Sequence, residues 1–364
     1  MRVKPWLQGI YRKDDHVDKS LIEYRFDQSE RTELYSDKFF NTFLDSIRQT
    51  DIIAYPYVLE LKQKIAELNG VPVENVFLTP GSDVAIRTMF DVSVTQGSEV
   101  VSTDPCFPMY KVYSELYGAK FVGVEYTKDM EWSVDDMISK LNSNTSLVIV
   151  ANPNNPIGDA KGSSALEPLV KETNRLGIPL LIDEAYDEFL MRPLHGFTLK
   201  YENVAICRTF SKGLGSAGAR IGYIIAHDNL MEYISKWRLM HEVTGISARW
   251  GSYILDHPLV IDDYVKQTLK EKQKMYMLLM KAGYEVMNSN TNWIHFNDAF
   301  DNSFATKVLD SHPNFAYRGG TIVPHDPRKN WIRLTIGPDM SELPAIQELL
   351  VMGQIVGDVC NVKI

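Results

Sequence analysis

Lys212 stands in the polar tract Arg208-Thr209-Phe210-Ser211-Lys212-Gly213-Leu214-Gly215-Ser216-Ala217-Gly218-Ala219-Arg220, between apolar runs at 204–207 and 221–225. A tract of this kind reads as a loop joining two buried strands. Loops at strand ends are where α/β proteins hold ligands. A lysine placed there can form an imine with an aldehyde, while Thr209, Ser211 and Arg220 can hold an anion. Taken alone, the tract also fits a solvated lysine in a flexible Gly-Ser loop.

The ends of the other apolar runs decide between these readings. Asp183-Glu184-Ala185-Tyr186 follows the run at 179–182. Asp183, the first polar group there, can accept a proton from a heteroaromatic nitrogen, and Tyr186 can reach a substituent oxygen on the same ring. Turn capping by Asp183 and packing by Tyr186 is the alternative. In Asn152-Pro153-Asn154-Asn155-Pro156-Ile157-Gly158, Asn155 can donate to a ring phenolate, although a plain rigid turn has the same composition. Gly81-Ser82-Asp83 offers backbone amides at a helix start, a geometry that binds phosphate. Phe107 can stack over a planar ring or pack in a core. An imine-forming lysine, a carboxylate for a pyridine nitrogen, phenolate donors, a phosphate cradle and a stacking ring are together what pyridoxal 5'-phosphate requires.

The elements that must position these groups are short apolar runs alternating with helix-length segments. Strands are expected at 76–79, 99–101, 120–124, 147–150, 178–182, 204–207 and 222–226, with a helix from Ser82 or Asp83. This alternation predicts an α/β sheet covered by helices on both faces. The sheet should be mostly parallel, with one late strand antiparallel because the loop between the last two is short for a crossover helix. Residues 229–240 read as helical and 259–281 as a long amphipathic connecting helix. A smaller α/β unit follows, with strands at 284–287, 292–296, 321–323 and 331–336, a helix at 304–309 and a last helix after Ser341. The simplest division is an N-terminal arm (1–45), a large cofactor-binding domain (46–255), and a connecting helix with a small C-terminal domain (256–364).

The 364 residues carry 38 basic and 47 acidic side chains, a formal charge of −9, which argues against nucleic acid and anionic membranes as partners. The N-terminus shows no signal-peptide pattern and no stretch is long and apolar enough to cross a bilayer. Cys106, Cys207 and Cys360 lack metal-ligand spacing, so no metal and a cytoplasmic setting are expected.

From Tyr55-Pro56 to Trp331-Ile332-Arg333-Leu334-Thr335-Ile336-Gly337, the order and spacing of these motifs resemble the fold-type I pyridoxal-phosphate enzymes of aminotransferase class I/II, especially the histidinol-phosphate aminotransferase-like group. The resemblance implies a covalent and proton-transfer role for Lys212. It pairs Asp183 with the pyridine nitrogen and sets Asn155 and Tyr186 beside the ring oxygen. Ser82, Asp83, Thr209, Ser211 and Arg220 would surround the phosphate, with Phe107 stacked on the ring. Tyr55 matches a residue that reaches the neighbouring subunit's phosphate, which implies a homodimer. Arg333 matches the arginine that grips the substrate carboxylate with two parallel hydrogen bonds.

Departures fall mainly on the substrate side. Asn155-Pro156-Ile157-Gly158 and Gly81-Ser82-Asp83-Val84 each change one residue of the usual pattern without removing a principal cofactor contact. Pro324 stands where histidinol-phosphate aminotransferases have an arginine that helps hold the substrate phosphate. His325, Arg328, Arg25 and Arg31 are the candidate replacements. The expected activity is transfer of an amino group from a polar or phosphorylated amino acid to a 2-oxo acid. Decarboxylation of such an amino acid is the alternative, and a non-catalytic binding protein is the reading from another class.

Overall fold

In the computed structural model, residues 3–7, 9–10, 22–190, 194–297, 304–321 and 331–361 are described. A two-residue strand, β1 (Tyr24–Arg25), precedes a seven-stranded sheet built from β2 (Val76–Thr79), β3 (Glu99–Asp104), β4 (Lys120–Glu125), β5 (Thr145–Ala151), β6 (Leu180–Asp183), β7 (Val204–Thr209) and β8 (Gly222–Ala226). Their order is β2-β8-β7-β6-β5-β3-β4. The β4–β3–β5–β6–β7 pairs are parallel, whereas β8 runs antiparallel to both β7 and β2. This is the expected mixed α/β sheet. The antiparallel strand follows from the short connection carrying Lys212, which cannot hold a crossover helix.

The central strands read as continuous apolar runs because both faces are covered. Leu147, Ile149, Leu181 and Ala205 pack on one side with Met89, Phe90 and Tyr110. Val148, Val150, Leu180, Ile182, Val204 and Ile206 pack on the other with Leu166 and Leu169. The alternation is the two-residue period of a strand. It brings the polar residues that end β5, β6 and β7 to one edge of the sheet.

The long helix Pro258–Lys281 leads into a second sheet of β9 (Glu285–Met287), β10 (Trp293–Asn297), β12 (Arg318–Thr321) and β13 (Trp331–Thr335), while β11 (Phe315–Ala316) pairs in parallel with β1. The second sheet has the order β12-β13-β10-β9 and is antiparallel throughout. Its core joins Ile294, Phe296, Ile332 and Leu334 to Met275 and Leu279 of the long helix and to Leu349 of the last one.

Three elements differ from the sequence expectation. A helix at Asp37–Ser46, capped by the Ser36 side chain accepting from the Phe39 amide, lies in the segment expected to be an arm. The segment at 229–240 is helical only over Asp228–Ile234, with a 3-10 turn at Ser235–Trp237. Trp237, Leu239 and Met240 remain 51%, 49% and 84% exposed, so no apolar face is buried to continue that helix. The strand expected at 321–323 begins earlier, at Arg318; its later residues, and Pro324, His325 and Arg328 with them, lie outside the described residues. Among the described residues, no helix is long and apolar enough to cross a membrane.

Candidate active site

Ser82, Asp83, Phe107, Asn155, Asp183, Tyr186, Thr209, Ser211, Lys212, Arg220 and Arg333 line one cavity of about 300 Å³. This lies at the small end of the range for ligand clefts. Tyr55 is absent from its lining: it is 80% exposed and stacks on His241, with centroids 4.2 Å apart. Arg31 is held elsewhere, between the rings of Tyr35 and Tyr264 at 4.3 and 4.2 Å. Arg25 sits in β1, also outside the lining.

Each side chain is delivered by a strand end or a helix start. Asp183 ends β6 and is 6% exposed. Its Oδ2 accepts from Tyr110 Oη at 2.7 Å and its Oδ1 from the Ala185 amide at 3.1 Å. Burial raises its proton affinity; Tyr110, Cys207, the Ala185 amide and Lys212 oppose that rise. A carboxylate in this position is stabilised by a cationic partner across the cavity. Tyr110, which sequence reasoning missed, lies in the helix Pro108–Tyr117; only the tertiary fold brings it to Asp183. Glu184, one residue on, points away from the lining and pairs with Arg208 at 2.7 Å. Arg208 also donates to Asn69 Oδ1 at 2.6 Å, tying the end of β6 to the helix Leu59–Asn69.

Lys212 Nζ donates to the Gln28 carbonyl at 2.8 Å and lies 5.5 Å from the centroid of the Tyr186 ring. Tyr186 in turn meets Trp293 edge-on at 4.6 Å. Asn155 Nδ2 donates to Tyr186 Oη at 3.3 Å, and its Oδ1 accepts from Arg333 Nη1 at 2.9 Å. Arg333 Nη2 reaches the Asp27 carbonyl at 3.3 Å, and the guanidinium lies 5.0 Å from the Trp293 ring. Arg333 is 4% exposed. Burial lowers its proton affinity and Arg318 adds to that effect, against Tyr186 and Asp27.

The other end of the cavity is polar and cationic. The helix Ser82–Ser93 starts at Gly81, whose φ of 82° favours glycine. A Cβ on Gly81 would lie 2.6 Å from Arg220 Nη2, so the missing side chain lets the guanidinium lie across the helix start. Arg220 makes only long contacts to the Ala217 and Pro80 carbonyls, at 3.3 and 3.5 Å, and no ion pair among the described residues. Thr209 Oγ1 donates to Ser211 Oγ at 2.9 Å beside it. A helix N-terminus, two hydroxyls and an arginine without an acid fit a phosphate. With the buried Asp183 at the far side and Lys212 between, the donor set fits pyridoxal 5'-phosphate.

Fold and donor set together describe a pyridoxal-phosphate enzyme of fold type I. The chain belongs to the aminotransferase class I and II family, whose model matches residues 30–348, and it is a pyridoxal-phosphate-dependent aminotransferase. It is 28% identical over 293 residues to the histidinol-phosphate aminotransferase of Thermoanaerobacter pseudethanolicus, covering 79% of this chain and 82% of that one. The crystal structure of histidinol-phosphate aminotransferase from Sinorhizobium meliloti, in complex with pyridoxal-5'-phosphate, superposes with a TM-score of 0.81 at 22% identity, over 98% of both chains. L-threonine-O-3-phosphate decarboxylase from Porphyromonas gingivalis shares the fold at a TM-score of 0.71 and 18% identity, over 91% of this chain and 98% of that one.

Gln28 and Glu30, from the segment at 27–30 that resembles the arm beside the substrate, also line the cavity, as does Arg318, and none of the three was given a role from the sequence. Gln28 meets Lys212 through its backbone carbonyl, a contact that side-chain type does not disclose. Arg318 was hidden because its partner across the strand pair, Arg333, is fifteen residues away in sequence.

Proposed function

We propose that this cavity transfers the amino group of a polar or phosphorylated amino acid to a 2-oxo acid, in the cytoplasm and in a homodimer. When bound, pyridoxal phosphate supplies a ring that takes up the negative charge developing at the amino acid's Cα. Asp183 would hold the ring nitrogen in its protonated form, and Asn155 and Tyr186 would stand at the ring oxygen. Ser82, Asp83, Thr209, Ser211 and Arg220 hold the phosphate, and Phe107 covers the ring. Lys212 would hold the cofactor in the resting enzyme and, once the substrate amine has replaced it there, its freed amine would take the proton from Cα. Arg333 fixes the α-acid group, so that the Cα–H bond rather than a carbon–carbon bond is presented to Lys212. Tyr55 extends to the phosphate of the neighbouring subunit. The chain divides into an arm (1–45), a cofactor domain (46–255) and a connecting helix with a smaller domain (256–364).

The observation that carries this reading is the chain of contacts from Arg333 through Asn155 to Tyr186, with Lys212 Nζ 5.5 Å from that ring. It joins the group that grips the substrate to the group that removes its proton. The test is a single turnover of holoenzyme with a panel of polar and phosphorylated amino acids and no acceptor. We expect a 2-oxo acid in an amount equal to the enzyme sites. Carbon dioxide without a 2-oxo acid would instead establish the decarboxylase alternative.

A further inference from the structure

Lys272 lies on the long helix Pro258–Lys281 and is 7% exposed. Burial lowers its pKa to about 8, with no acid set against that shift. A charge in such a place is costly unless it is well hydrogen-bonded. Its Nζ donates to the Ser289 carbonyl at 2.6 Å and to the Thr291 carbonyl at 2.5 Å. Both acceptors belong to the turn that leads into β10. A methionine would fill the same space without burying a charge, but it would leave the two carbonyls unpaired.

Three contacts carry this turn toward Arg333. The Asn290 amide donates to the Gly158 carbonyl at 2.7 Å, and Asn290 Nδ2 to the same oxygen at 3.2 Å. A Cβ on Gly158 would overlap Ser289 Cβ, so the turn seats directly on the segment that carries Asn155. Asn292 Nδ2 donates to the Ser29 carbonyl at 3.3 Å, two residues beyond Asp27. Ser289 Oγ donates to the Trp293 carbonyl, where the turn ends. Asn155, the Asp27 carbonyl and the Trp293 ring each contact the Arg333 guanidinium. One turn thus touches the chain beside all three, and Lys272 ties that turn to the long helix.

We propose that Lys272 is a positioning residue for substrate binding, its ammonium clamping the 289–291 turn so that Asn155, Asp27 and Trp293 hold Arg333 ready for an acid group. The inference deepens the aminotransferase reading and rests on it for the role of Arg333. Lys272 touches neither substrate nor cofactor and acts through the turn alone.

Acids that lack an amino group keep the test separate from turnover. Holoenzyme is titrated calorimetrically with glutarate and with pentanoate, for the native chain, Arg333→Gln, Lys272→Met, Lys272→Arg and Asn290→Ala. The affinity of each chain for pyridoxal phosphate is measured beside it. Arg333→Gln should weaken the tighter acid about tenfold or more, the scale of a charge-assisted hydrogen bond. Lys272→Met should weaken the same acid about fivefold or more and leave cofactor affinity within about twofold. Lys272→Arg keeps the charge and two donors and should restore acid binding to within about twofold of native. Asn290→Ala alters an exposed side chain, so it folds, and should weaken the acid about threefold by removing one bond to Gly158. Native acid affinity in Lys272→Met, or equal loss of acid and cofactor there, would overturn the proposal. If Lys272→Met does not fold, native acid affinity in Asn290→Ala overturns it. Unchanged acid affinity in Arg333→Gln would instead sink the reading of Arg333 on which the proposal rests.

Discussion

His295 is the register partner of Arg333 on β10, fully buried, with neither ring nitrogen partnered among the described residues. Burial, with the Arg333 charge beside it, pushes its pKa down to about 3. A neutral imidazole there packs against the substrate arginine without competing for its ligand. A histidine lowered on folding contributes stability above its unfolded pKa, near 6.5, and that contribution is lost as pH falls toward the folded value. We therefore expect urea unfolding to show a loss of about 2 kcal/mol more between pH 8 and pH 5 for the native chain than for His295→Gln. Asp183, raised by burial, works in the opposite direction, but it is common to both proteins and cancels in the comparison. Identical pH dependence would show that His295 does not titrate on unfolding in this way.

Among elements, the join between β8 and the helix Ser82–Ser93 shapes the phosphate end. A Cβ on Gly222 would stand 2.6 Å from the Ser82 amide nitrogen and closer still to the Gly81 carbonyl carbon. Gly222→Ala must push the helix start away from β8, and overpacking of this kind costs about 1–3 kcal/mol. We expect apoenzyme carrying Gly222→Ala to bind pyridoxal phosphate about tenfold more weakly in equilibrium dialysis; unchanged affinity would place the phosphate elsewhere. The sheet was legible in the sequence because its strands are buried on both faces, as the uninterrupted run Leu147-Val148-Ile149-Val150 is. The antiparallel placement of β8 was legible from loop length alone. The β1–β11 pair was not: two residues per strand carry no periodicity, and the partners are some 290 residues apart. In the site, residues at strand ends announced themselves by following apolar runs, as Asp183 does. Tyr110 and Arg318 join the cavity region through tertiary pairing, which a linear pattern does not encode.

At the scale of the whole molecule, the segment around Tyr55 is unusually apolar for a surface. Ile52, Ile53, Tyr55 and Tyr57 are 67%, 79%, 80% and 74% exposed. Exposed apolar side chains of this kind suit the association surface that the proposed homodimer requires, with Tyr55 reaching the neighbouring cavity. We expect the holoenzyme to sediment as a dimer and Tyr55→Ala to release cofactor about tenfold faster; a monomer with full activity would refute the shared site. In the proposed reaction, Lys212 removes the Cα proton in the cavity that Arg333 and Asp183 line. The most direct measurement follows deuterium at Cα of the amino donor. The native holoenzyme should release the deuterium to water as the 2-oxo acid appears, and Lys212→Ala should slow both by at least about 100-fold. Deuterium release by Lys212→Ala at the native rate, or carbon dioxide release from the native enzyme with the label retained at Cα, would contradict it.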